Sequence, residues 1–371
     1  MVVQCNELLA ERALARRSAR AQERRSTLAL ERLMHLRRLV LPAVWAALAA
    51  VAPHTAMAWG STGHRIIGQL AIEGLPSDLP AFLRRRDVVE GMGELAREPD
   101  RWRDAGRVHD TDRDPGHFVD LGDDGRVLAG PSLANLPPTR EAYDSALRAA
   151  GADSWKAGYL PYSIIDGWQQ LTKDFAYWRA ETTAASQTAN SAHRAWLAAD
   201  AARREGLILR DLGTLAHYVG DGSQPLHVSV HFNGWGAFPN PEQFSQSRIH
   251  AFFEGAFVRD FVEPVAVRAD LTPYRDCRCA IEQRTRVFLA ATNAEVVPLY
   301  RLQKAGAFTS ASRQGRAFVA ARLAAGTDEL RDEIIDAWRA SAGGEVGYPA
   351  VKMSDILAGR IDPYDALYGL D

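Results

Sequence analysis

Cysteine is scarce in this chain, which has three among its 371 residues. Cys5 lies near the N-terminus, and Cys277 and Cys279 form a C-x-C pair far along the chain. A C-x-C pair gives a strained disulfide at best, and two thiols are too few for a metal site by themselves. We therefore expect stability to come from the hydrophobic core and from any metal that binds.

Long apolar runs are also missing. The segment Leu39–Val51 follows two arginines, precedes an A-x-A sequence at 56–58, and is too short for a comfortable transmembrane helix. A basic start, a short apolar core and small residues at a cleavage point are typical of a secretory signal. We therefore expect cleavage before Trp59.

The leader has two parts. Residues 1–33 are rich in arginine, glutamate, alanine and leucine and sit awkwardly ahead of a signal, so we expect translation to start at Met34. Residues 34–58 are then the signal peptide, and 59–371 form the mature protein. Such a protein is secreted or periplasmic.

Positive charge is not in excess. The whole chain has 44 basic and 46 acidic side chains, and without the nine arginines and four glutamates of residues 1–58 the numbers are 35 and 42. An acidic mature protein argues against a broad basic groove for duplex nucleic acid. It leaves room for a small site whose positive charge comes from bound metal.

Alternating strand patterns and internal repeats are absent, whereas helical periodicity recurs throughout. The sequence therefore predicts one all-α, multi-helix domain over 59–371. Loops are expected at 122–140 and 234–241, and a tail packed on the surface at 343–371. Helical patterns begin near Ile66 and recur at 79–107, 141–150, 161–182, 189–203, 204–221, 242–262, 279–303 and 314–341.

Histidine and acid residues cluster between 212 and 254. His217 and Asp221 stand four apart in a helical run and therefore share one face. His227 follows helix-breaking residues, and His250 and Glu254 repeat the spacing of four. Two surface pairs that merely stabilise helices are the plainer interpretation, but five such residues in about forty favour a multi-zinc site.

Two further histidines lie earlier in the chain. His64 is five residues from Trp59, so signal cleavage would place a free α-amine, itself a competent zinc ligand, close to it. His117 follows an Asp-Pro sequence and is expected in a turn or extended segment. Either histidine alone would be interpreted as an ordinary polar residue without a role in metal binding.

Together these motifs resemble a known family. The segments W-G-x-x-G-H, H-F-V-D and H-Y-V-G-D-x-x-Q-P-L-H, followed by H-x-x-x-E, span Trp59 to Glu254. They are similar to the zinc-dependent superfamily that joins the fungal single-strand-specific P-one and S-one nucleases to the bacterial zinc phospholipases C. The resemblance implies an all-α fold of this type with a trinuclear zinc cleft and three Zn²⁺ ions.

The resemblance also implies which residues hold the metals. Its first-site acid is either Asp104 or Asp100, one turn apart, and W-x-D-x-x-R favours Asp104. The ligands of the first zinc are Asp104, His117, His217 and Asp221; those of the second are His227, His250 and Glu254; those of the third are the amine and carbonyl of Trp59 with His64, sharing Asp221.

The same family implies roles around the metals. Hydrolysis of a phosphodiester needs a nucleophile at neutral pH and neutralisation of charge, which a zinc pair and a third zinc supply. Arg107 matches a transition-state arginine, and Asp104 is counted with it as catalytic; a plain surface arginine is the alternative. Phe118 and Asp120 match positions that stack a base and bind its edge, although Phe118 also fits an ordinary core residue.

Some features favour the phospholipases instead. Glu254 stands where the fungal nucleases have aspartate, and the fungal disulfides are missing. Phe232, Trp235 and Phe238 fit a base pocket, a lipid head-group pocket or simple loop packing. His231 has no role implied by the family.

We therefore expect a monomeric zinc phosphodiesterase without a stable protein partner. Its expected substrates are single-stranded DNA and RNA, cleaved to 5′-phosphates. The alternative enzyme is a phospholipase C acting on the head group of phosphatidylcholine-like lipids. A third hypothesis is a catalytically silent protein whose zinc ions only hold the fold.

Overall fold

A computed structural model describes residues 59–309 and 312–369. The expected leader 1–58, with its start at Met34 and its signal peptide, lies outside the described residues. All described residues belong to a single compact unit.

Helices make up most of the described chain, which confirms the all-α prediction. The first eight are α1 Gly60–Glu73, α2 Arg86–Leu95, α3 Glu98–Arg101, α4 Arg107–Arg113, α5 Arg140–Ala149, α6 Ser154–Ala157, α7 Leu160–Gln187 and α8 Ser191–Ser223. The others are α9 Phe257–Phe261, α10 Pro264–Ala269, α11 Ile281–Asn293, α12 Val296–Lys304, α13 Arg313–Ala340, α14 Met353–Leu357 and α15 Tyr364–Tyr368. Within these residues no helix is both long and apolar enough to span a membrane.

Shorter elements connect the helices. A single pair of strands in the described tail, β1 Glu345–Val346 and β2 Val351–Lys352, is antiparallel, with Glu345 opposite Lys352. One π-helical turn, Phe252–Ala256, leads directly into α9. The 3₁₀ turns are Ala81–Arg84, Asp114–His117, Leu133–Asn135, Pro225–His227 and Ser341–Gly343.

The hairpin of α7 and α8 forms the centre of the fold. The three residues between these helices end in Asn190, whose side chain accepts hydrogen bonds from the backbone N–H groups of Ala192 and His193 and so caps α8. Helix α13, capped in the same way by Ser312, packs against α1, α7 and α8, and α2 packs against α1 and α8. One large apolar core lies between these helices.

Four of the helical patterns differ from those that the sequence predicts. The pattern at 79–107 is divided into the 3₁₀ turn Ala81–Arg84 and the helices α2 and α3. The other three differences have local causes. The patterns at 189–203 and 204–221 belong to the single helix α8, since nothing in the stretch between them caps or breaks a helix. Residues 242–249 are not helical, because the Asn240 side chain bonds both backbone groups of Phe244 in a competing turn. The pattern at 279–303 divides before α12, where Pro298 lacks the N–H that a continuous helix requires.

The segment between α10 and α11 is extended and runs along α13. The hydroxyl of Thr272 bonds Asp328, and the hydroxyl of Tyr274 bonds Asp336. The disulfide Cys277–Cys279 lies in this segment, far in sequence from the histidine motifs.

The close packing of α8 against α2 generates a stability prediction. A Cβ added at Gly213 would lie 2.9 Å from the backbone carbon and oxygen of Leu95, which cannot move like a flexible side chain. We expect Gly213→Ala to lower the free energy of unfolding by about 1–3 kcal/mol through overpacking. Urea denaturation at fixed zinc concentration measures the change.

Gly206 on the same helix is the matched control. A Cβ there meets nothing within 4 Å, so Gly206→Ala should raise the free energy of unfolding by about 0.5–1 kcal/mol through helix propensity. Equal unfolding midpoints for the two variants would contradict the close approach of α8 to α2.

Candidate metal centre

Helix α8 carries the residues around which the first group of donors assembles. His217 and Asp221 lie one turn apart on its buried face, with Nε2 of His217 3.4 Å from Oδ2 of Asp221. His117 arrives from the 3₁₀ turn Asp114–His117, and its Nδ1 lies 2.9 Å from Nε2 of His217 and 3.0 Å from Oδ2 of Asp221. Asp100, from α3, places Oδ1 3.8 Å from Nε2 of His217.

Backbone carbonyls fix the orientation of two of these imidazole rings. Nδ1 of His217 donates to the carbonyl oxygen of Ala96 at 2.9 Å, and Nδ1 of His227 donates to that of His117 at 2.7 Å. In each ring Nε2 is then the unprotonated nitrogen and faces the other donors. Such outer hydrogen bonds are the usual way in which proteins orient metal-binding histidines.

The second group contains His227, His250 and Glu254, all buried. Helix α8 ends at Ser223, and the 3₁₀ turn that follows brings His227 back, with Nε2 3.5 Å from Oε2 of Glu254. Glu254 lies in the π-helical turn, 2.7 Å from Nε2 of His250. Isolated π-helical turns of this kind occur frequently at functional sites.

Gln224 also belongs to this region, although the sequence did not lead us to expect it there. It is fully buried, and its Nε2 donates to Oε2 of Glu254 at 3.2 Å while its Oε1 accepts from the N–H of Leu226 at 2.6 Å. The only sequence signal is its position in the turn between Asp221 and His227. Gln224 therefore orients Glu254 against the end of α8.

The third group joins His64 of α1 to Asp221. Nε2 of His64 lies 3.5 Å from Oδ1 of Asp221, so the two oxygens of one carboxylate face different groups. The expected partner Trp59 is adjacent: its indole N–H donates to Oγ of Ser223 at 2.7 Å, and its carbonyl oxygen accepts from the N–H of Gly63.

The donors fit a set of metal ions. Tetrahedral zinc with ligands at about 2.0–2.2 Å separates the ligand atoms by about 3.3–3.6 Å, close to the spacings within these groups. Three sets of residues each bring their donor atoms within 4.8 Å of one another, and His217 is common to two of them: His64, His217 and Asp221; Asp100, His117 and His217; and His227, His250 and Glu254. Buried atoms without a hydrogen-bond partner among the described residues include both nitrogens of His64, Oδ1 of Asp221, Nε2 of His227, Nδ1 of His250 and Oε1 of Glu254.

Burial sets the charge of these donors. It lowers the pKa of His217 to about 3 and lowers the pKa values of His64 and His117 well below the ordinary histidine value, so the rings are neutral and able to ligate at neutral pH. Burial, reinforced by the charge of Asp100, raises the pKa of Asp221 well above its usual range. A bound cation would instead lower the pKa of Asp221, since it stabilises the charged carboxylate.

Glu254 behaves differently from Asp221. Burial acts to raise its pKa, but the adjacent His250 and His227 outweigh burial and lower the pKa of Glu254 below its usual value. The second group therefore holds an ionised carboxylate beside two imidazoles, the mixture of donors that zinc binds.

The structure corrects the placement of Asp104 and Arg107. Asp104 has φ +64° in the turn after α3, and Gly106 has φ +135°. Asp104 and Arg107 are both exposed, and Asp104 is not among the grouped donors. Asp100 and Arg103, with the same spacing of three, lie at the site instead. Nε of Arg103 donates to Oδ1 of Asp100 at 3.2 Å.

A cavity of about 460 Å³ opens beside the donors and contains the two residues expected to bind substrate. Phe118 and Asp120 form part of its wall, and burial raises the pKa of Asp120 to about 7. The expected candidate Phe232 also lines the cavity. Its remaining wall contains residues that were not expected from the sequence: Arg103, Asp114, Pro115, Trp155, Lys156 and Leu226.

The wall that carries Phe118 is held in place by backbone contacts. The carbonyl oxygen of Phe118 accepts from the N–H of Leu160, and the N–H of Asp120 donates to the carbonyl oxygen of Ala157. Gly158 has φ +71°, and a Cβ there would lie 2.0 Å from the oxygen of Phe118, so only glycine fits this crossing. The side chains of α6 are thereby fixed beside Phe118.

Other aromatic candidates lie outside the cavity wall. Trp235 is buried behind His231, and Phe238 is half-exposed with its ring edge towards His231. A larger cavity of about 520 Å³, beside Tyr159, Tyr162 and Tyr218, contains none of the metal-binding donors. The smaller cavity is therefore the one that connects with the metal centre.

Comparison with protein-family models and with curated protein sequences finds no match for this chain. The family membership implied by its motifs therefore stays a prediction.

Asp221 generates the first prediction for this site, because its two oxygens serve two groups of donors. We expect Asp221→Ala to lose about two of three bound zinc equivalents, measured by mass spectrometry of the metal after dialysis. Asp200→Ala, in the N-terminal half of the same helix, should keep all three. Full metal content in Asp221→Ala, with native helicity by circular dichroism, would overturn the shared role.

A second pair of variants distinguishes the two candidate acids. We expect Asp100→Ala to weaken zinc binding about 10–100-fold, whereas Asp104→Ala should bind zinc like the wild type because its side chain faces solvent. Competition with a chelating dye measures both affinities. The opposite ranking would restore Asp104 as the ligand and refute the placement of Asp100 at the metal centre.

Proposed function

We propose that this chain, after removal of its leader, is a secreted or periplasmic trinuclear zinc phosphodiesterase that cleaves single-stranded DNA and RNA to 5′-phosphates. The observation that carries the proposal is a cavity lined by His117 of one donor group and by His227 and His250 of another, together with guanidinium, ammonium and aromatic side chains. The resemblance of the motifs to the nuclease and phospholipase superfamily supports the same chemistry.

Zinc, when bound by these donors, supplies Lewis acidity towards a phosphate ester and lowers the pKa of water to near neutrality. No serine or cysteine nucleophile is required. The residues of the chain itself bind the substrate, orient the phosphate and exclude solvent from one side of the centre.

Arg103 is the residue best placed to bind the phosphate. It lines the cavity with His117 and His227, and its bond to Asp100 leaves the other guanidinium nitrogens free for a phosphate oxygen. A planar guanidinium binds phosphate through two parallel hydrogen bonds and so fixes its orientation as well as its charge. Lys156 adds a second cation at the cavity mouth.

Phe118 and Asp120 would hold a nucleobase. Stacking on an aromatic ring contributes about 1–3 kcal/mol per base and tolerates any base. Asp120, with its pKa raised to about 7 by burial, is present in both protonation states near neutral pH. Its carboxyl group can therefore donate to or accept from the polar edge of a base.

A phosphocholine head group is the second candidate, because aromatic rings around a carboxyl group also bind quaternary ammonium ions. The same cavity, however, contains two cations, Arg103 and Lys156, beside the carboxyl groups of Asp114 and Asp120, and two cations can attract the phosphates on either side of a bound base. We therefore favour nucleic acid over lipid.

The test uses the chain beginning at Trp59 and loaded with zinc. Denatured DNA, duplex DNA, RNA and phosphatidylcholine micelles are assayed together, with and without EDTA. We expect EDTA-sensitive cleavage of the single strands and no release of diacylglycerol. Release of diacylglycerol with intact nucleic acid would assign the phospholipase activity, and stable zinc without any turnover would assign a structural role to the metals.

Two arginines form a matched pair for the phosphate-binding step. We expect Arg103→Ala to lower kcat/KM on denatured DNA by about 10²–10³-fold at unchanged zinc content, since one charged donor to the phosphate is lost. Arg107→Ala should stay within about twofold of the wild type because Arg107 is exposed away from the cavity. A larger loss from Arg107→Ala than from Arg103→Ala would contradict this assignment.

A further inference from the structure

His231 is a buried histidine that belongs to none of the metal-binding groups. Its ring is stacked on Trp235, with the ring centroids 3.7 Å apart and 13° between the planes. Nδ1 donates to the carbonyl oxygen of Trp235 at 2.7 Å, and Nε2 lies 3.0 Å from Oδ1 of Asp123. Both nitrogens are thus engaged, so the ring is fixed in position and in rotation.

His231 and Asp123 each lie close in sequence to a residue that lines the cavity. Asp123 lies in the loop that follows Asp120, whereas His231 directly precedes Phe232. One backbone hydrogen bond, from the N–H of Val230 to the carbonyl oxygen of Leu121, joins these segments nearby at 3.0 Å. The hydrogen bond between the side chains of His231 and Asp123 joins the same two segments next to this backbone bond.

The loop beyond His231 depends on the same residue. The hydroxyl of Tyr300 donates to the carbonyl oxygen of His231 at 2.6 Å and accepts from the N–H of Gly234 at 3.0 Å. Phe232, between these two points, is 47 % exposed and has no large buried surface of its own to hold it. Its position is therefore set by its neighbours in the chain.

We propose that His231 and Asp123 form a positioning pair that fixes the separation between Phe232 on one wall and Phe118 with Asp120 on the other. The separation determines how tightly the cavity holds the flat group placed between the two aromatic rings. On the proposed function that group is a nucleobase, and the inference rests on that function for its identity. His231 touches neither substrate nor metal and acts through the spacing of the walls.

The experiment measures ligand binding and turnover in the zinc-loaded protein. Asp123→Ala removes the partner from an exposed loop with little risk to folding, and His231→Phe keeps the ring stacked on Trp235 but removes both hydrogen bonds. We expect each to weaken dAMP binding, measured by calorimetry, about five- to tenfold. KM for a dinucleoside monophosphate should rise by the same factor, with kcat changed less than about twofold.

A second His–Asp pair offers matched controls. His193 is stacked on Tyr364 with ring centroids 3.7 Å apart, and its Nδ1 lies 3.2 Å from Oδ2 of Asp362, at the start of α8 and away from the cavity. Asp362→Ala and His193→Phe should leave dAMP binding and KM unchanged. The double variant Asp123→Ala/His231→Phe should bind dAMP with the same affinity as the single variant that binds it less tightly, because the pair acts as a unit.

Each remaining outcome decides between the proposals. Wild-type dAMP affinity in both cavity variants, or equal losses in the control variants, would overturn the positioning role and leave the nuclease proposal intact. Binding of phosphocholine instead of dAMP by the wild type would overturn the nuclease; the positioning role then stands only if the cavity variants weaken phosphocholine. Binding of neither ligand by the wild type overturns both.

Discussion

The carboxylate of Asp221 is the feature on which the rest of this structure depends. It is fully buried, its Oδ2 lies within 3.4 Å of two imidazoles, and its Oδ1 faces a third. An ionised carboxylate in such surroundings is costly unless positive charge is near, and none of the three rings carries charge at neutral pH. Bound cations would resolve this conflict, and they would do so for two groups of donors through a single side chain.

The packing of the helices follows from bringing donors to that carboxylate. Gly220, one residue before Asp221, leaves no room for a side chain, because a Cβ there would lie 2.9 Å from Nδ1 of His64. Helices α1 and α8 can therefore approach until their donors meet. The carbonyl oxygens of Ala96 and His117 accept hydrogen bonds from His217 and His227, respectively. These bonds satisfy backbone carbonyl groups near the centre and also orient the two imidazole rings.

Much of this arrangement is predictable from local spacing. His217 with Asp221, and His250 with Glu254, share a face whenever the segment between them is helical, and His227 must turn back once Pro225 ends the helix. The all-α class follows equally from periodicity over the long helices α7, α8 and α13. Local spacing predicts the wrong structure for residues 242–249, where a turn formed by the Asn240 side chain replaces the expected helix.

Spacing also cannot choose between two acids one turn apart. Asp100 and Asp104 are each followed by an arginine three residues later, so the pattern D-x-x-R fits both. The decision is made by the backbone after α3, where positive φ values at Asp104 and Gly106 turn the second pair towards solvent. Because the acid and the arginine share this spacing, the same turn leaves Asp100 among the grouped donors and Arg103 in the cavity wall. The bond between Nε of Arg103 and Oδ1 of Asp100 therefore joins a residue of the cavity wall to a candidate metal ligand.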